Sequence, residues 1–350
     1  MKVLQVIDTL KVGGAERVLV TLTNLLFEGK VDVSVLIISE DGGLVKDINS
    51  DIPIIRLKRT KRFDRSKMKE FSQILSNYDI IHTHLKHNFR YTSIVAKIFN
   101  KHHVKIILHD HSHYDSVSKL SLKYLKDSLF KNILKPKYYI GVSTYNCDWA
   151  KKELLVNEKN FFLLENIIKK KAVNKTNHKK KGMVLVSNIT PIKNIEFALE
   201  IVKKLKEKLT VYGRVIDEEY FKMLHQKIKQ YEIEDQVVFI SDCNEVQQEL
   251  YQYKYAIHTS FKETGPLVLI EYLAQSLPFL SFNSGQVYNK INDQLPQFFI
   301  DNYHTEKWLN KINNLSSVPE ETISKTYKNN FSSEEYLKKC LKIYKNILNS

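Results

Sequence analysis

Cysteine is scarce in this chain: only Cys147, Cys243 and Cys340 occur among 350 residues, with no CxxC pair. Their wide spacing excludes a disulfide framework and a cysteine zinc site, and it favours a reducing compartment. Apolar runs of about 18 residues, which a membrane-spanning helix needs, are absent. The first residues, MKVLQVIDTL, lack the pattern of a signal peptide. We therefore expect a cytoplasmic protein that can associate peripherally with the inner face of the plasma membrane.

Acidic residues are outnumbered by basic ones. Lys and Arg total 54 against 39 Asp and Glu, which gives a formal net charge of +15. Such a balance attracts nucleic acid, anionic lipid or phosphorylated substrates. The interleaved aromatic and basic residues of nucleic-acid-binding proteins are missing, so nucleic acid is the least favoured partner. The hydrophobic content of 43% is that of a folded globular protein.

Short apolar segments alternate with helical patterns along the whole chain, which predicts parallel sheets covered by helices. The fold class is therefore α/β, with two tandem Rossmann-like, doubly wound domains facing a cleft. Strands are predicted at 3–8, 31–39, 52–57, 79–84, 104–111, 138–143, 182–187, 209–213, 237–240, 255–260 and 278–283.

A lysine-rich segment, KKKAVNKTNHKKK, divides the two series of strands. It predicts an N-terminal domain at 1–168, a linker at 169–181 and a C-terminal domain at 182–332. The amphipathic helix in 333–350 is expected to pack back on the N-terminal domain. In doubly wound sheets ligands bind beyond the carboxyl ends of the strands, so the cleft between the domains is the expected active site.

Two loops that follow strands have the composition of anion sites. Gly13 and Gly14 open the first helix, where a ligand can approach the backbone and helix N–H groups favour a phosphate. Lys193 stands at the start of a later helix, where a lysine opposes the helix dipole. Its position suggests an anionic ligand. The ordinary alternatives are a tight turn at Gly13 and Gly14 and a solvent-facing side chain for Lys193.

Histidine is concentrated in one part of the chain, with eight of the twelve between His82 and His113. Residues two apart in a strand share a face, so His109, His111 and His113 could converge. They could donate hydrogen bonds to a substrate, bind a metal ion or lie exposed at strand ends. No HExxH motif or carboxylate-rich pattern supports a metal, which is therefore the least favoured of these.

The stretch FKETGPLVLIEYLAQSLPFL places two glutamates, Glu263 and Glu271, eight positions apart around a helix start. A carboxylate repels phosphate, so neither is expected to bind one. Both suit sugar hydroxyls, as the acidic ribose ligand does in dinucleotide sites. Phosphates on helix amides and hydroxyls on carboxylates together indicate a nucleotide sugar.

These motifs, in this order, resemble the GT-B fold glycosyltransferases, most closely glycosyltransferase family 4, a large retaining bacterial group. The resemblance covers nearly the whole chain and is carried by VGGAERVL, DIIHTH, the strand-end histidines, NxxPIKN, VYG and E-x7-E followed by AQSLP. Non-hydrolysing nucleotide-sugar epimerases share this architecture and remain an alternative. They differ in giving a rearranged sugar without an acceptor.

The resemblance implies roles for particular residues. Gly13 and Gly14 correspond to the turn that meets the diphosphate or the donor sugar. His111, with His109 as the alternative in an ambiguous register, corresponds to the histidine near the donor sugar. The C-terminal domain supplies the remaining assignments, which are Lys193, Gly265, Pro266 and Leu267 for the diphosphate, Glu263 for the sugar hydroxyls and Glu271 for the ribose.

Departures from the family pattern affect the donor contacts. The family commonly has Gly-Arg where this chain has Ser187 and Asn188, so Arg214 is a candidate replacement cation and Asn188 a further candidate contact. Ser276 replaces a common glycine, and Thr264 to Pro266 replace Gly-Phe-Gly. No Asp-x-Asp motif occurs, so we expect metal-independent transfer without a cofactor.

The acceptor is expected to be a glycan or a lipid-linked molecule, because similar enzymes assemble capsule, lipopolysaccharide and other cell-surface polysaccharides. Between Arg56 and Lys69 lie eight basic residues and one acid, and the helix predicted at 117–134 alternates lysines with apolar residues. Such segments can lie on an anionic bilayer. Packing of this helix on the sheet explains its periodicity equally well.

Overall fold

The computed structural model divides the chain into two units, Met1–Ile167 with Ser333–Ser350, and Ile168–Ser332. Each unit is built on one parallel sheet with helices between successive strands. The two tandem doubly wound α/β units predicted from the sequence are therefore confirmed. The structure describes residues 1–61, 63–101, 103–112, 134–154, 157–173, 180–241, 243 and 245–350.

Unit 1 contains a seven-stranded sheet in which all neighbouring strands are parallel. Its strands are β1 (Lys2–Thr9), β2 (Asp32–Glu40), β3 (Ile54–Arg56), β4 (Ile80–His84), β5 (Lys105–Asp110), β6 (Tyr138–Gly141) and β7 (Phe161–Leu163). Their spatial order is β3-β2-β1-β4-β5-β6-β7. The order reverses direction between β1 and β4, and ligands bind at such a switch point.

The helices described in unit 1 are α1 (Gly14–Glu28), α2 (Arg65–Leu75), α3 (Lys86–Ile98), α4 (Thr144–Leu154) and α12 (Ser333–Leu348). Helix α2 begins at Asp64, whose carboxylate accepts a hydrogen bond from the Lys67 N–H at 3.1 Å. Helix α12 returns to unit 1 after the whole of unit 2 and buries Tyr336, Cys340 and Tyr344.

Unit 2 repeats the architecture with six parallel strands. They are β8 (Lys181–Val186), β9 (Leu209–Tyr212), β10 (Val237–Ile240), β11 (Tyr253–His258), β12 (Phe279–Phe282) and β13 (Phe299–Ile300), in the order β10-β9-β8-β11-β12-β13. The helices are α5 (Ile195–Leu205), α6 (Glu218–Tyr231), α7 (Gln247–Leu250), α8 (Leu267–Ala274), α9 (Gly285–Ile291), α10 (Thr305–Asn314) and α11 (Glu320–Asn330). Its switch point lies between β8 and β11.

Central strands are apolar because helices cover both faces of each sheet. In β1, for example, Val3, Leu4, Val6 and Ile7 have no exposed surface. Polar side chains interrupt this core in unit 1, where Gln5, His82, His84 and His109 are also fully buried. Four buried groups of this kind need hydrogen-bond partners, either within the protein or from a ligand.

The structure differs from the sequence predictions at several points. The segments after residues 143 and 283 contain two short strands, β7 and β13, that were not predicted. Residues 169–173, assigned to a linker, are tied to unit 2, since the Lys169 carbonyl accepts from Gln247 Nε2 and the Lys170 N–H donates to Tyr327 Oη. The helix predicted at 117–134 falls largely outside the described residues. No helix in the described ranges is long and apolar enough to cross a membrane.

Candidate active site

The switch point of unit 2 holds an ion-paired cluster. Lys193 ends a short 3-10 turn between β8 and α5, and Glu263 lies in the loop between β11 and α8. Lys193 Nζ donates to Glu263 Oε1 at 2.6 Å. The two loops are also joined through the backbone, because the Phe261 N–H donates to the Ile192 carbonyl at 3.0 Å. The cation and the carboxylate proposed for the donor are therefore direct neighbours.

His258, which the sequence analysis did not select, completes this cluster. It is the last residue of β11, is 3% exposed, and places Nε2 3.2 Å from Glu263 Oε1. Its other ring nitrogen, Nδ1, lies 3.1 Å from Ser281 Oγ on β12. A histidine held from both sides fixes the orientation of the glutamate. The signal for it in the sequence was a polar residue ending an otherwise apolar strand.

Glu263 is ionised in this environment. Burial alone would raise the pKa of its carboxyl group, but the Lys193 ammonium and the His258 hydrogen bond outweigh burial and hold that pKa well below its ordinary value. With its side chain 14% exposed, the carboxylate keeps access to a ligand. It is thus a charged hydrogen-bond acceptor of fixed position, suited to hydroxyl groups.

Gly285 lies against the loop that carries Glu263, and no motif in the sequence indicated it. Its φ is +80°, in the left-handed region that favours glycine. A Cβ at this position would lie 2.9 Å from Pro266 Cδ and 3.2 Å from Glu263 Cβ. The next residue, Gln286, donates its N–H to the Thr264 carbonyl at 2.7 Å. The loop before α9 therefore packs directly against the loop before α8.

Helix α8 places the remaining residues of E-x7-E. Pro266 is the N-cap and Leu267 the first helical residue, so the N–H groups of the first turn have no acceptor within the helix. Gly265 precedes the cap in the same loop. Glu271 lies one turn further along and is only 4% exposed. The glutamate assigned to the ribose is therefore buried, whereas Glu263 is partly buried.

Ser276 lies at the other end of α8, away from the donor loops. Its φ is +56°, and the helix ends in a Schellman motif, with the Leu277 N–H donating to the Tyr272 carbonyl and the Ser276 N–H to the Leu273 carbonyl. This left-handed conformation favours glycine, the residue that the family pattern leads us to expect here. Serine in place of glycine at position 276 therefore affects how helix α8 ends. The geometry does not connect Ser276 with the donor contacts that it was expected to change.

Three buried side-chain atoms near the carboxyl ends of β8 and β12 have no hydrogen-bond partner among the described residues: Ser187 Oγ, Asn283 Oδ1 and Ser284 Oγ. Unpaired buried polar atoms are costly, and a bound polar ligand can satisfy them. Asn188 beside them is exposed, and Arg214 is partly buried. Gly213 is required here because a Cβ would collide with the Ser187 carbonyl.

In unit 1, Gly13 and Gly14 lie beyond β1 at the switch point. Gly13 caps α1 without a side-chain hydrogen bond, and its φ of −161° is ordinary extended backbone. A Cβ on it would collide with the Glu16 carboxylate. Gly14 is exposed and begins the helix. The Glu16 carboxylate therefore lies against the start of α1, and binding of a phosphate there stays a prediction.

The histidines of β4 and β5 form one cluster. Strand register pairs Gln5 with His82 and His84 with His109, so these side chains share a face. The ring centroids of His109 and His111 are 4.3 Å apart, and those of His84 and His109 are 5.0 Å apart. His113 lies outside the described residues. His109 and His111 therefore lie together, and His82 and His84 join them in one cluster.

Hydrogen bonds join the histidine rings of the cluster to one another. His82 Nε2 lies 2.9 Å from His109 Nδ1, and His84 Nδ1 lies 3.1 Å from His111 Nε2. Burial lowers the pKa of His82 and of His111 to about 3, and it lowers the pKa of His84 and His109 as well. All four rings are therefore neutral near pH 7.

Ring nitrogens of His82, His84 and His109 lie within 4.8 Å of one another, which is compact enough for a metal ion. His82 Nε2 and His84 Nδ1 are, however, already at hydrogen-bond distance from nitrogens of other imidazoles. Within the described residues, no carboxylate of the cluster balances a divalent charge, and the buried Asp110 is engaged by Tyr139 and Ser112. The arrangement fits a hydrogen-bonded imidazole network better than a cation site.

Both family models that match the chain are models of glycosyltransferases. The family model for Glycosyltransferase Family 4 matches residues 12–168, and that for Glycosyl transferases group 1 matches residues 166–332. No curated protein matches the chain by sequence. Between them the two models span both units, so the chain is a GT-B glycosyltransferase and belongs to the family 4 and group 1 family.

Solved structures agree on the fold. A glycosyltransferase from Rickettsia africae ESF-5 has a TM-score of 0.78 and 19% identity, and the match covers 100% of this chain and 99% of that one. Anabaena Alr3699/HepE in complex with UDP-glucose has a TM-score of 0.79 and 15% identity, with 100% of both chains covered. A mutant of S. aureus TarM in complex with UDP and two glycan ligands has a TM-score of 0.73 and 14% identity, covering 98% of this chain and 100% of that one.

Proposed function

We propose that this protein is a retaining glycosyltransferase that moves a sugar from a nucleotide-sugar donor to a glycan or lipid-linked acceptor in bacterial cell-surface polysaccharide biosynthesis. The observation that carries the donor proposal is the Lys193–Glu263–His258 cluster at the switch point of unit 2. The presence of UDP-glucose in the Anabaena structure and of UDP in the TarM structure supports a nucleotide sugar.

The donor roles follow from charge and position. Lys193 and the first-turn N–H groups of α8 stabilise the departing diphosphate, whose negative charge grows as the glycosidic bond breaks. Glu263 accepts hydrogen bonds from hydroxyls of the transferred sugar. Glu271 accepts them from the ribose. Lys193 and Glu263, which are neighbours, thus bind two chemically different parts of one ligand, the diphosphate and the sugar.

Retention of anomeric configuration accords with the state of Glu263. Its carboxylate is engaged by an ammonium and an imidazole, and its lowered pKa makes it a weak proton acceptor. It is therefore poorly suited to be the general base of an inverting displacement. We propose that the leaving diphosphate takes the proton of the acceptor hydroxyl, which attacks the sugar on the face from which the diphosphate departs. His109 and His111 of unit 1 assist at the hydroxyls of the donor sugar.

For the acceptor, we propose a lipid-linked molecule reached through peripheral membrane contact. The segment between Arg56 and Lys69 is strongly basic, although Arg56 pairs with Asp41, Arg59 with Asp8 and Lys67 with Glu70. The remaining basic side chains favour an anionic surface. Flotation with liposomes should depend on anionic lipid, and equal binding to neutral liposomes would contradict the proposal.

The division of labour between the glutamates can be tested by calorimetry and a transfer assay. Glu263→Ala should abolish sugar transfer while the free nucleoside diphosphate still binds, since the substitution removes the sugar contacts and frees Lys193 Nζ from its ion pair. Glu271→Ala should weaken that affinity about tenfold or more, equivalent to about 1.4 kcal/mol for a lost charge-assisted hydrogen bond. Equal loss in both variants would show that the assignment is wrong.

A further inference from the structure

The histidine cluster of unit 1 is bounded by two side chains that are neither histidine nor charged, Gln5 of β1 and Tyr344 of α12. Gln5 Nε2 lies 3.2 Å from Tyr344 Oη, and Gln5 Oε1 lies 2.9 Å from His84 Nε2. Tyr344 Oη lies 2.6 Å from His82 Nδ1. Both residues are fully buried, so they contact the rings without competition from water.

The amide of Gln5 fixes one half of the cluster. Its Nε2 can only donate, and Tyr344 Oη receives that hydrogen bond, so its Oε1 is the end that faces His84. An amide oxygen accepts, and His84 therefore carries its proton on Nε2. The unprotonated Nδ1 of His84 then accepts from His111 Nε2, 3.1 Å away.

The hydroxyl of Tyr344 fixes the other half. A phenol, with an ordinary pKa near 10, is a better donor than a neutral imidazole N–H, and an imidazole nitrogen is the better acceptor. Cys340 also forms a hydrogen bond with this hydroxyl, but a thiol is a weak acceptor, so the hydroxyl donates to His82 Nδ1. His82 carries its proton on Nε2 and donates it to His109 Nδ1 at 2.9 Å. His109 in turn keeps its own proton on Nε2.

We infer that Gln5 and Tyr344 are positioning residues that hold His82, His84, His109 and His111 in the Nε2–H tautomer. The two histidines assigned to the donor sugar consequently differ in character. His109 presents an N–H at Nε2, a buried atom without a hydrogen-bond partner in the described part of the chain. His111 presents its basic nitrogen at Nδ1.

These different characters divide the chemistry, in an assignment that rests on the proposed function. His109 Nε2 donates a hydrogen bond to an oxygen of the donor, whereas His111, whose only N–H is given to His84, cannot donate one. The helix that supplies Tyr344 comes from the end of the chain, 262 residues after His82. The C-terminal helix thereby sets the proton positions of side chains on the central strands of unit 1.

Tautomers can be read directly by NMR. The full chain, labelled with 15N-histidine and free of nucleotide sugar, gives long-range 1H–15N correlations that separate protonated from bare ring nitrogens. Signals are assigned with single His→Gln variants. At about pH 7.5, where the four rings are neutral because burial lowers each pKa, we expect all four to be protonated at Nε2. Protonation at Nδ1 in His109 or His111 of the wild type overturns the inference.

Two substitutions act on different halves of the network. Tyr344→Phe removes the donor to His82 and leaves the contact of Gln5 Oε1 with His84 in place, so the signals of His82 and His109 should shift more than those of His84 and His111. Gln5→Met should do the reverse. Identical changes in both variants, or none, overturn the inference. The NMR samples contain no nucleotide sugar, so they test the tautomers separately from the proposed function. Failure of the chain to bind a donor in other assays would contradict the proposed function and would not affect the tautomer assignment.

Discussion

Acid should destabilise unit 1, because its histidine cluster is neutral when folded. Burial lowers the pKa of His82 and of His111 from 6.5 to about 3. Between these values the unfolded chain binds protons that the folded chain does not, so stability is greatest above pH 6.5 and falls as the pH falls. Going from about pH 7.5 to about pH 5 costs about 2 kcal/mol for each such histidine, or roughly 4 kcal/mol for the pair.

His84 and His109 add to this loss in the same direction, since burial lowers the pKa of both. Because whole domains are stable by only about 5–15 kcal/mol, the effect should be large. Urea titrations read by hydrogen-exchange mass spectrometry report β4 and β5 separately from the strands of unit 2. We expect the urea midpoint of β4 and β5 to fall markedly at the lower pH.

Matched variants isolate the cause. His82→Gln removes one titrating ring and keeps a polar group, so it should reduce the acid-induced loss in unit 1 by about 2 kcal/mol. His304→Gln alters an exposed histidine of unit 2 and should leave that loss unchanged. If unit 1 is equally stable at both pH values, or if the two variants behave alike, the buried cluster is not neutral as described.

Two further predictions concern unit 2. Ser276→Gly should raise its stability by about 1 kcal/mol, because Ser276 has a φ of +56° at the helix terminus, and thermal unfolding should move up by a few degrees; a lower melting temperature would contradict the Schellman assignment. Lys193→Met should weaken nucleoside-diphosphate affinity about tenfold or more, since it removes one charge-assisted hydrogen bond. Calorimetry measures this, and unchanged affinity would remove Lys193 from the site.

Much of the fold was predictable from the sequence, because apolar strands covered on both faces leave an unmistakable pattern. The shortest elements were not. β13 is only Phe299–Ile300, too short to show a period, and β7 is only Phe161–Leu163. Helix α3 begins at Lys86 within the polar run LKHNFR, which has the composition of a loop. Its boundary depends on packing against the sheet.

The candidate site was predictable where spacing carried the signal. Glu263 and Lys193 lie in loops after strands, and the structure brings them into contact. Partners distant in sequence were not predictable. Tyr344 appears in the sequence as one more core residue of an amphipathic helix, and nothing local connects it with His82. His258 acts through a neighbouring strand and loop, which only the folded sheet brings together.

Binding of nucleotide sugars tests the central claim most directly. A thermal-shift panel of UDP-, GDP- and ADP-sugars on the wild-type chain should give at least one donor that raises the melting temperature, with a smaller rise for Glu271→Ala at the same concentration. A ligand present at about 100 times its Kd stabilises the folded state by about 2.7 kcal/mol, a readily measured shift. If no nucleotide sugar stabilises the wild type, unit 2 does not hold such a donor and the proposed function is wrong.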